Sequence, residues 1–402
     1  MLQNTHGHTS SVSRRWLARS RYCLGLFLLI AAGIGTSTAN AVPLDHKTQT
    51  DVMNWVEQYQ PETLKAGKRV PFQTLIDELN LNRVVFVGEI HDRYDHHLTQ
   101  LAILKALHQR NPRLAIGVEW FQQSFQTVVN DFLAGKIDEE TLLRRTEYFD
   151  RWRYDYRMLR PILEYAKANH LPVIALNAPA ELTRKVSKRG LAALTSAERV
   201  QLPTRINPPD DAYRTRLEKI FTEHSSEKQQ LENFMQVQRI WDETMAQNIV
   251  RFLNPNPAWR MVVFSGSGHI SYDAGIPKDV AQQLPKIRQA TVISSDARDV
   301  EQDMVDYAVL TRPLSLPPTG KLGVWLENKG KTVVIGEMTK NSAARKAGLQ
   351  SGDRIVTLDG ATVRNMADLT LELTHTQPAQ VVKVVIERKG KDKLQAYDVT
   401  LQ

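Results

Sequence analysis

The sequence has little cysteine: one residue, Cys23, in 402. An intrachain disulfide framework is excluded, and so is a metal site built from several thiolates. Long hydrophobic runs are scarce as well. Leu24 to Ile34 is almost wholly apolar but short for a membrane span of about 20 residues, and no second stretch reaches that length. There is no long block of Lys or Arg, so nothing in the charge pattern points to nucleic acid. No His-Glu-x-x-His helix is present, which excludes a common zincin, and no phosphate-binding loop with its Lys is present.

The first forty-odd residues read as a leader. Arg14, Arg15, Arg19 and Arg21 precede the apolar run, and Ala39-Asn40-Ala41 is an A-x-A cleavage signal. The pattern predicts export, cleavage after Ala41 and a periplasmic location, with membrane association left open. Ser13-Arg14-Arg15-Trp16-Leu17 leaves Sec and twin-arginine export both open. Cys23 opens the apolar run, whereas a lipoprotein cysteine follows it. The leader holds four Arg and no acid, so the net charge of +8 falls to +4 without it.

Hydrophobic residues make up 42% of the chain, enough for a large core. Residues 45–80 suggest a helical lead-in. Short apolar runs then alternate with longer helical patterns. Strands are expected at Arg83–Val87, Leu114–Val118, Pro172–Leu176, Met261–Phe264 and Ala290–Ile293, separated by helices. That rhythm predicts an α/β fold with a mostly parallel sheet flanked by helices. Lys185–Asp211 reads as a helical insertion. Pro313 to Gly320 reads as a linker. The predicted order is a leader over 1–41, a large domain over 42–310, a linker over 311–320 and a small α+β domain over 321–402.

The small domain resembles a PDZ domain. The resemblance rests on Ser342-Ala343-Ala344, Ala347-Gly348-Leu349, Gly352-Asp353-Arg354-Ile355 and Asp359-Gly360. It implies that Leu322-Gly323-Val324-Trp325 is a carboxylate-binding loop, whose N–H groups would hold the C-terminus of an added peptide strand. A PDZ domain that packs within its own chain is the other reading.

In the large domain the run Val84–Val87 ends at Gly88-Glu89-Ile90-His91-Asp92. Ligands of open parallel sheets bind beyond the carboxyl ends of the strands. Asp92 is placed to cap the next helix. Other strand ends supply Glu119-Trp120, Asn177 and Ser265-Gly266-Ser267-Gly268-His269. A parallel sheet would gather Glu89, His91, Glu119, Asn177 and His269 into one cleft. Glu119 reads equally as a chemical group or as an orienting partner of His91. Asn177 reads equally as turn chemistry before Pro179. His96 and His97 lie in the first turn of the next helix, and His97 shares a face with Leu101 and Leu104, so a core role is open. His108, His170 and His224 carry no functional reading.

Together these residues resemble the ChaN-like family, the haem-binding-uptake branch of the superfamily that includes Tiki proteases and erythromycin esterases. The resemblance covers roughly residues 70–310. It rests on Gly88–Asp92, His96-His97 with Gln100, Glu119, Trp152 with Pro161-Ile162, Asn177, Asp242 with Met245, and Gly266–His269 with Gly275-Ile276-Pro277. It implies a role in bacterial haem or iron uptake, with haem bound at a homodimer interface. Two features depart from the family: no lipobox cysteine, and a PDZ domain.

Three functions follow from this reading. Haem iron needs an axial ligand, and His91, His97, His269 and Tyr272 are candidates. Trp120, Phe121 and Ile276 could flank the porphyrin, and Arg93 or Arg153 could meet a propionate. A hydrolase would use Glu89 as general base, with His91 and His269 holding a divalent metal or stabilising an oxyanion, and Glu119 as a further ligand or orienting group. Glu89, His91 and His269 are then the metal set. A scaffold would use the PDZ domain alone, to recruit the C-terminus of an envelope protein.

Overall fold

A computed structural model of the protein describes residues 42–43, 58–222, 228–296, 300–328 and 332–402. The leader with Cys23, His224, the first part of the expected lead-in and most of the turn after Asn328 lie outside the described residues.

The large domain is built on a sheet of eight strands. They are β1 (Glu62–Lys65), β2 (Lys68–Val70), β3 (Val84–Glu89), β4 (Leu114–Gln122), β5 (Val173–Asn177), β6 (Arg260–Gly266), β7 (Gln289–Ser295) and β8 (Tyr307–Leu310). Their order is β2-β1-β8-β7-β3-β6-β4-β5. The neighbours from β8 to β5 are all parallel. The hairpin β1–β2 adds antiparallel to β8.

Every residue of β3 is buried. Val85 and Val87 join the core on one face of the sheet, and Val84 and Phe86 join the core on the other. This is the two-residue alternation of a strand covered on both sides. The first face carries the helices α1 (Phe72–Leu79), α2 (Tyr94–Arg110), α3 (Gln126–Leu133), α4 (Glu139–Arg145), α5 (Tyr148–Arg151) and α6 (Arg160–Ala168). α1 shows why such segments are helical: Phe72, Leu75, Ile76 and Leu79 recur at helical spacing, and all four are buried.

On the second face lie α10 (Lys228–Leu253) and α11 (Gly275–Gln283). The expected insertion, Lys185–Asp211, is helical only in part, in the end of α7 (Ala180–Arg189) and in α8 (Ser196–Arg199); α9 (Asp211–Thr222) begins where it ends. Thr195 and Glu198 close a capping box on α8.

Two expectations change. From Glu62 the lead-in is a hairpin before it is a helix, turning at Ala66 and Gly67, both at positive φ. Asp92 caps nothing; Arg93 is the N-cap residue of α2 and makes no side-chain cap bond.

The C-terminal domain is an antiparallel sheet in the order β9-β10-β11-β13-β14, with β12 beside β11. The strands are β9 (Val324–Asn328), β10 (Val333–Met338), β11 (Arg354–Leu358), β12 (Ala361–Thr362), β13 (Val381–Glu387) and β14 (Gln395–Thr400), and the helices are α12 (Ala343–Lys346) and α13 (Met366–Thr374). Asn365 caps α13 by accepting from the Asp368 N–H. Residues 311–320 lie along the large domain: Leu314 and Leu316 pack on its core, and Arg157 donates to the Pro317 carbonyl at 2.7 Å.

Candidate functional site

β3 is the pivot of the sheet. From it the chain builds β4 and β5 on one side, and later β7 and β8 on the other. Crevices open beyond the carboxyl ends of strands at such a switch. A cleft lies there, lined by Glu89, His91, Glu119, Trp120, Asn177 and His269 among others. The four strand ends singled out in the sequence therefore meet.

His91 sits on the loop after β3. Its Nδ1 lies 3.0 Å from Glu89 Oε1. A carboxylate there fixes the proton on Nδ1 and leaves the Nε2 lone pair free. The ring packs against Trp152 and Tyr154, with centroids at 4.8 and 5.0 Å. Gly266 makes room for it: a Cβ there would sit 2.8 Å from His91 Cε1 and 3.1 Å from Nε2. Burial and the Asp92, Glu119 and Glu89 charges push the Tyr154 phenol up to about 12.

His97 has a different role. It is fully buried on α2, and its Nε2 is 3.1 Å from the His91 carbonyl. Its Nδ1 is 3.1 Å from Gln100 Oε1 and 2.9 Å from Glu89 Oε2. The Gln100 amide is oriented by its own donation to the Val87 carbonyl. Both His97 nitrogens thus face acceptors, so the ring is an imidazolium paired with Glu89. Burial opposes that charge, but Glu89 outweighs burial and raises the His97 pKa. In the same way burial would raise Glu89, yet His97 and His91 hold it well below the usual carboxylate range. His97 has no lone pair for iron. Glu89 Oε1 pairs with His91, while its buried Oε2 lies 2.9 Å from His97 Nδ1 without an aligned hydrogen bond.

His269 follows β6. Its Nδ1 is 2.7 Å from Asp242 Oδ1, and its Nε2 is 3.6 Å from Glu119 Oε1. Burial opposes the charge, but Glu119 and Asp242 raise the pKa to about 9. At neutral pH His269 is a buried cation. Asp242 also accepts from the Tyr213 hydroxyl at 2.9 Å and from Arg239 at 3.2 Å. Glu119 Oε2 accepts from the Gly266 N–H at 2.8 Å, and Asn177 donates to the Glu119 carbonyl at 3.0 Å. Asn177 is thus a bracket for Glu119 as well as a turn residue.

Trp120 lines the cleft with its ring stacked on Phe264. Tyr272 is not among the lining residues: its hydroxyl donates to Glu301 at 2.9 Å and Arg216 lies over its ring. Phe121 and Ile276 are core residues. Arg93 forks onto Asp95 and reaches Asp296 at 3.0 Å. His96 is buried and accepts the Ile90 N–H. Among the described residues no group of three His, Cys, Asp or Glu is arranged to hold a metal, so Glu89, His91 and His269 do not form a three-donor site. The sequence reading missed Tyr154, Arg151, Gln122 and Trp241, which all line the cleft. Tyr154 and Arg151 had a signal: Trp152, between them, belongs to the motif set.

Comparison with known proteins bears on the fold of both domains. The family model described as haem-binding uptake, Tiki superfamily, ChaN matches residues 75–280. The chain belongs to this family. A PDZ model matches residues 320–399. The solved structure of cofacial heme binding to ChaN of Campylobacter jejuni superposes with a TM-score of 0.53 at 16% identity, over 63% of this chain and 97% of that one, which shows a shared fold.

Among curated proteins, Reticulata-related 5 of the Arabidopsis thaliana chloroplast is 24% identical over 60% of this chain and 34% of its own length. The regulator of sigma-E protease RseP of Escherichia coli is 34% identical over 28% of this chain and 24% of its own. The chain thus spans about a third and about a quarter of these two relatives.

Proposed function

We propose that this ChaN-family protein is exported and binds haem at the strand-end cleft, with His91 Nε2 as the iron ligand, in the service of haem or iron uptake. The observation that carries the reading is the pairing of His91 Nδ1 with Glu89 at 3.0 Å, which leaves Nε2 uncommitted. Two histidines line the cleft, and the other, His269, is held protonated. A neutral imidazole oriented by a carboxylate is the donor that haem iron takes. Trp152, Tyr154, Trp120 and Trp241 provide flat apolar surface for a porphyrin. Arg151 is the arginine among the lining residues, and a propionate would have to compete with its pairs to Glu147 and Glu181. The iron would bring redox and small-ligand chemistry; the chain's part is to hold, orient and shield it.

In this reading residues 1–41 are a cleaved leader, 42–310 the haem domain and 321–402 a PDZ domain that takes the C-terminus of an envelope protein through Leu322–Trp325. A homodimer sharing the haem face is part of the same proposal. No described helix is long and apolar enough to cross a membrane. The test is a hemin titration of the purified full chain. A Soret band shifted from free hemin, and lost in His91→Ala, is the expected result; no shift in the wild-type chain overturns the proposal.

A hydrolase is the second reading. It is favoured by two histidines on the walls of one cleft, His91 and His269, each with its Nδ1 held by a carboxylate. His91 would then be the base and His269 the acid or oxyanion partner. Turnover of ester or peptide substrates, abolished in His91→Ala and His269→Ala, would establish it.

A further inference from the structure

Helix α13 of the PDZ domain has two occupied sides. Met366, Thr370 and Leu373 share one face by their spacing. Met366 and Leu373 lie half-buried on the PDZ core, together with Val324 and Leu326 of β9. Among the described residues β9 pairs with β10 alone, so its outer edge is open to an added peptide strand. Asp368, Leu371 and Glu372 form another face. Leu371 is buried within the large domain's own core cluster. Arg144 of α4 forks onto Asp368 and Glu372, the latter at 2.7 Å. α13 also packs on α5 and on α4.

α5 is short, and the residues at its two ends are strained. Glu147 before it has φ +50, and Arg153 just after it has φ +72. Non-glycine residues in the left-handed region persist only where the surroundings impose them, and they are apt to serve as hinges. Directly at the far hinge stand Trp152 and Tyr154, whose rings pack on His91. Residues 144–154 thus carry the PDZ clamp at one end and a wall of the cleft at the other.

We propose that α5 with its two hinges couples the peptide groove to the cleft. A peptide strand added to β9 beside α13 displaces that helix, and the displacement moves Trp152 and Tyr154 against His91. The groove is then a control input for the cleft, and linkage makes the effect reciprocal: whatever binds the cleft alters peptide affinity by the same factor. For the cleft ligand this rests on the haem reading; the mechanical link itself does not.

The test needs no knowledge of the natural peptide. In a full chain carrying Cys23→Ser, Thr370→Cys places one thiol on the exposed groove side of α13. A pyrene-maleimide adduct there occupies the groove. Deuterium uptake over residues 146–156 and hemin affinity are then measured with and without the adduct. Uptake in that segment should change several-fold, and hemin affinity by roughly fivefold, in the range of ordinary couplings. Both changes should vanish in Arg144→Ala and persist in Arg144→Lys, which keeps a cation facing Asp368 and Glu372. Unchanged uptake on labelling a chain that retains Arg144 overturns the coupling. So does a response that survives Arg144→Ala. A response in uptake without any Soret shift supports the link and tells against the haem reading.

Discussion

His97 Nε2 donates to the backbone carbonyl of His91 at 3.1 Å, so the buried histidine holds the backbone of the cleft histidine in place. The same imidazolium neutralises Glu89, which orients the His91 ring. Three residues therefore act as one unit: His91 and Glu89 line the cleft, and His97 braces both from the interior.

Glu89→Gln keeps the shape of this unit but weakens its hold on the His91 tautomer. Hemin affinity should fall by about 10- to 100-fold, the range for losing an orienting carboxylate. The Soret titration reads the change, and circular dichroism should show the fold intact. Equal affinity in the variant would mean that His91 is not the ligand.

His97→Leu removes the cation and leaves Glu89 buried without compensation. Unfolding free energy should drop by about 3–5 kcal/mol, as for a broken buried pair. The double variant His97→Leu with Glu89→Leu should recover much of that loss. Urea denaturation of both chains checks it; a double variant worse than the single would refute the pairing.

Gly266→Ala puts a methyl group 2.8 Å from His91 Cε1. The backbone φ there is −58°, so no conformational strain accompanies the change. Cleft binding should weaken by an order of magnitude or more while the melting temperature moves little. Tyr272→Phe, away from the cleft lining, should leave hemin binding unchanged.

His269 supplies a pH dependence. Its pKa rises from 6.5 to about 9 on folding. A raised pKa means that the folded state binds the proton more tightly, so the stabilisation is complete below about 6.5 and fades as pH climbs through about 9. Stability should therefore decline between pH 6.5 and 9. Asp242→Asn should lower the His269 titration midpoint, seen by imidazole NMR, and flatten that decline.

Much of the sheet was legible because strands buried on both faces are continuous apolar runs. Val84–Val87 and Met261–Phe264 could scarcely be anything else. The hairpin β1–β2 was not, because it turns on Ala66-Gly67 rather than Asn-Gly and its short strands are mostly polar. β8 was missed for its brevity. The cleft was legible as a set of strand ends, since a parallel sheet sends them to one side. The split between His91 and His97 was not, because it depends on the orientation of the Gln100 amide and on tertiary contacts that no spacing reveals. Tyr272 follows His269 closely in sequence, yet the chain reverses through residues at positive φ, Tyr272, Asp273 and Gly275, and carries its ring to Glu301.

The ladder between β4 and β5 is in step at Val118 with Ala175 and again at Gln122 with Asn177, with a slip between. Three residues on one strand, Glu119 to Phe121, thus face the single Leu176 on the other. A slip of this kind bends the strand and re-aims its side chains, which is how Glu119, Trp120 and Gln122 all reach one cleft despite alternating directions. Because the ladder is pinned at both ends, residues 119–121 form a cassette. Losing a single residue from it would throw the alternation out of phase, turning Glu119 away from His269 and Phe121 out of the core.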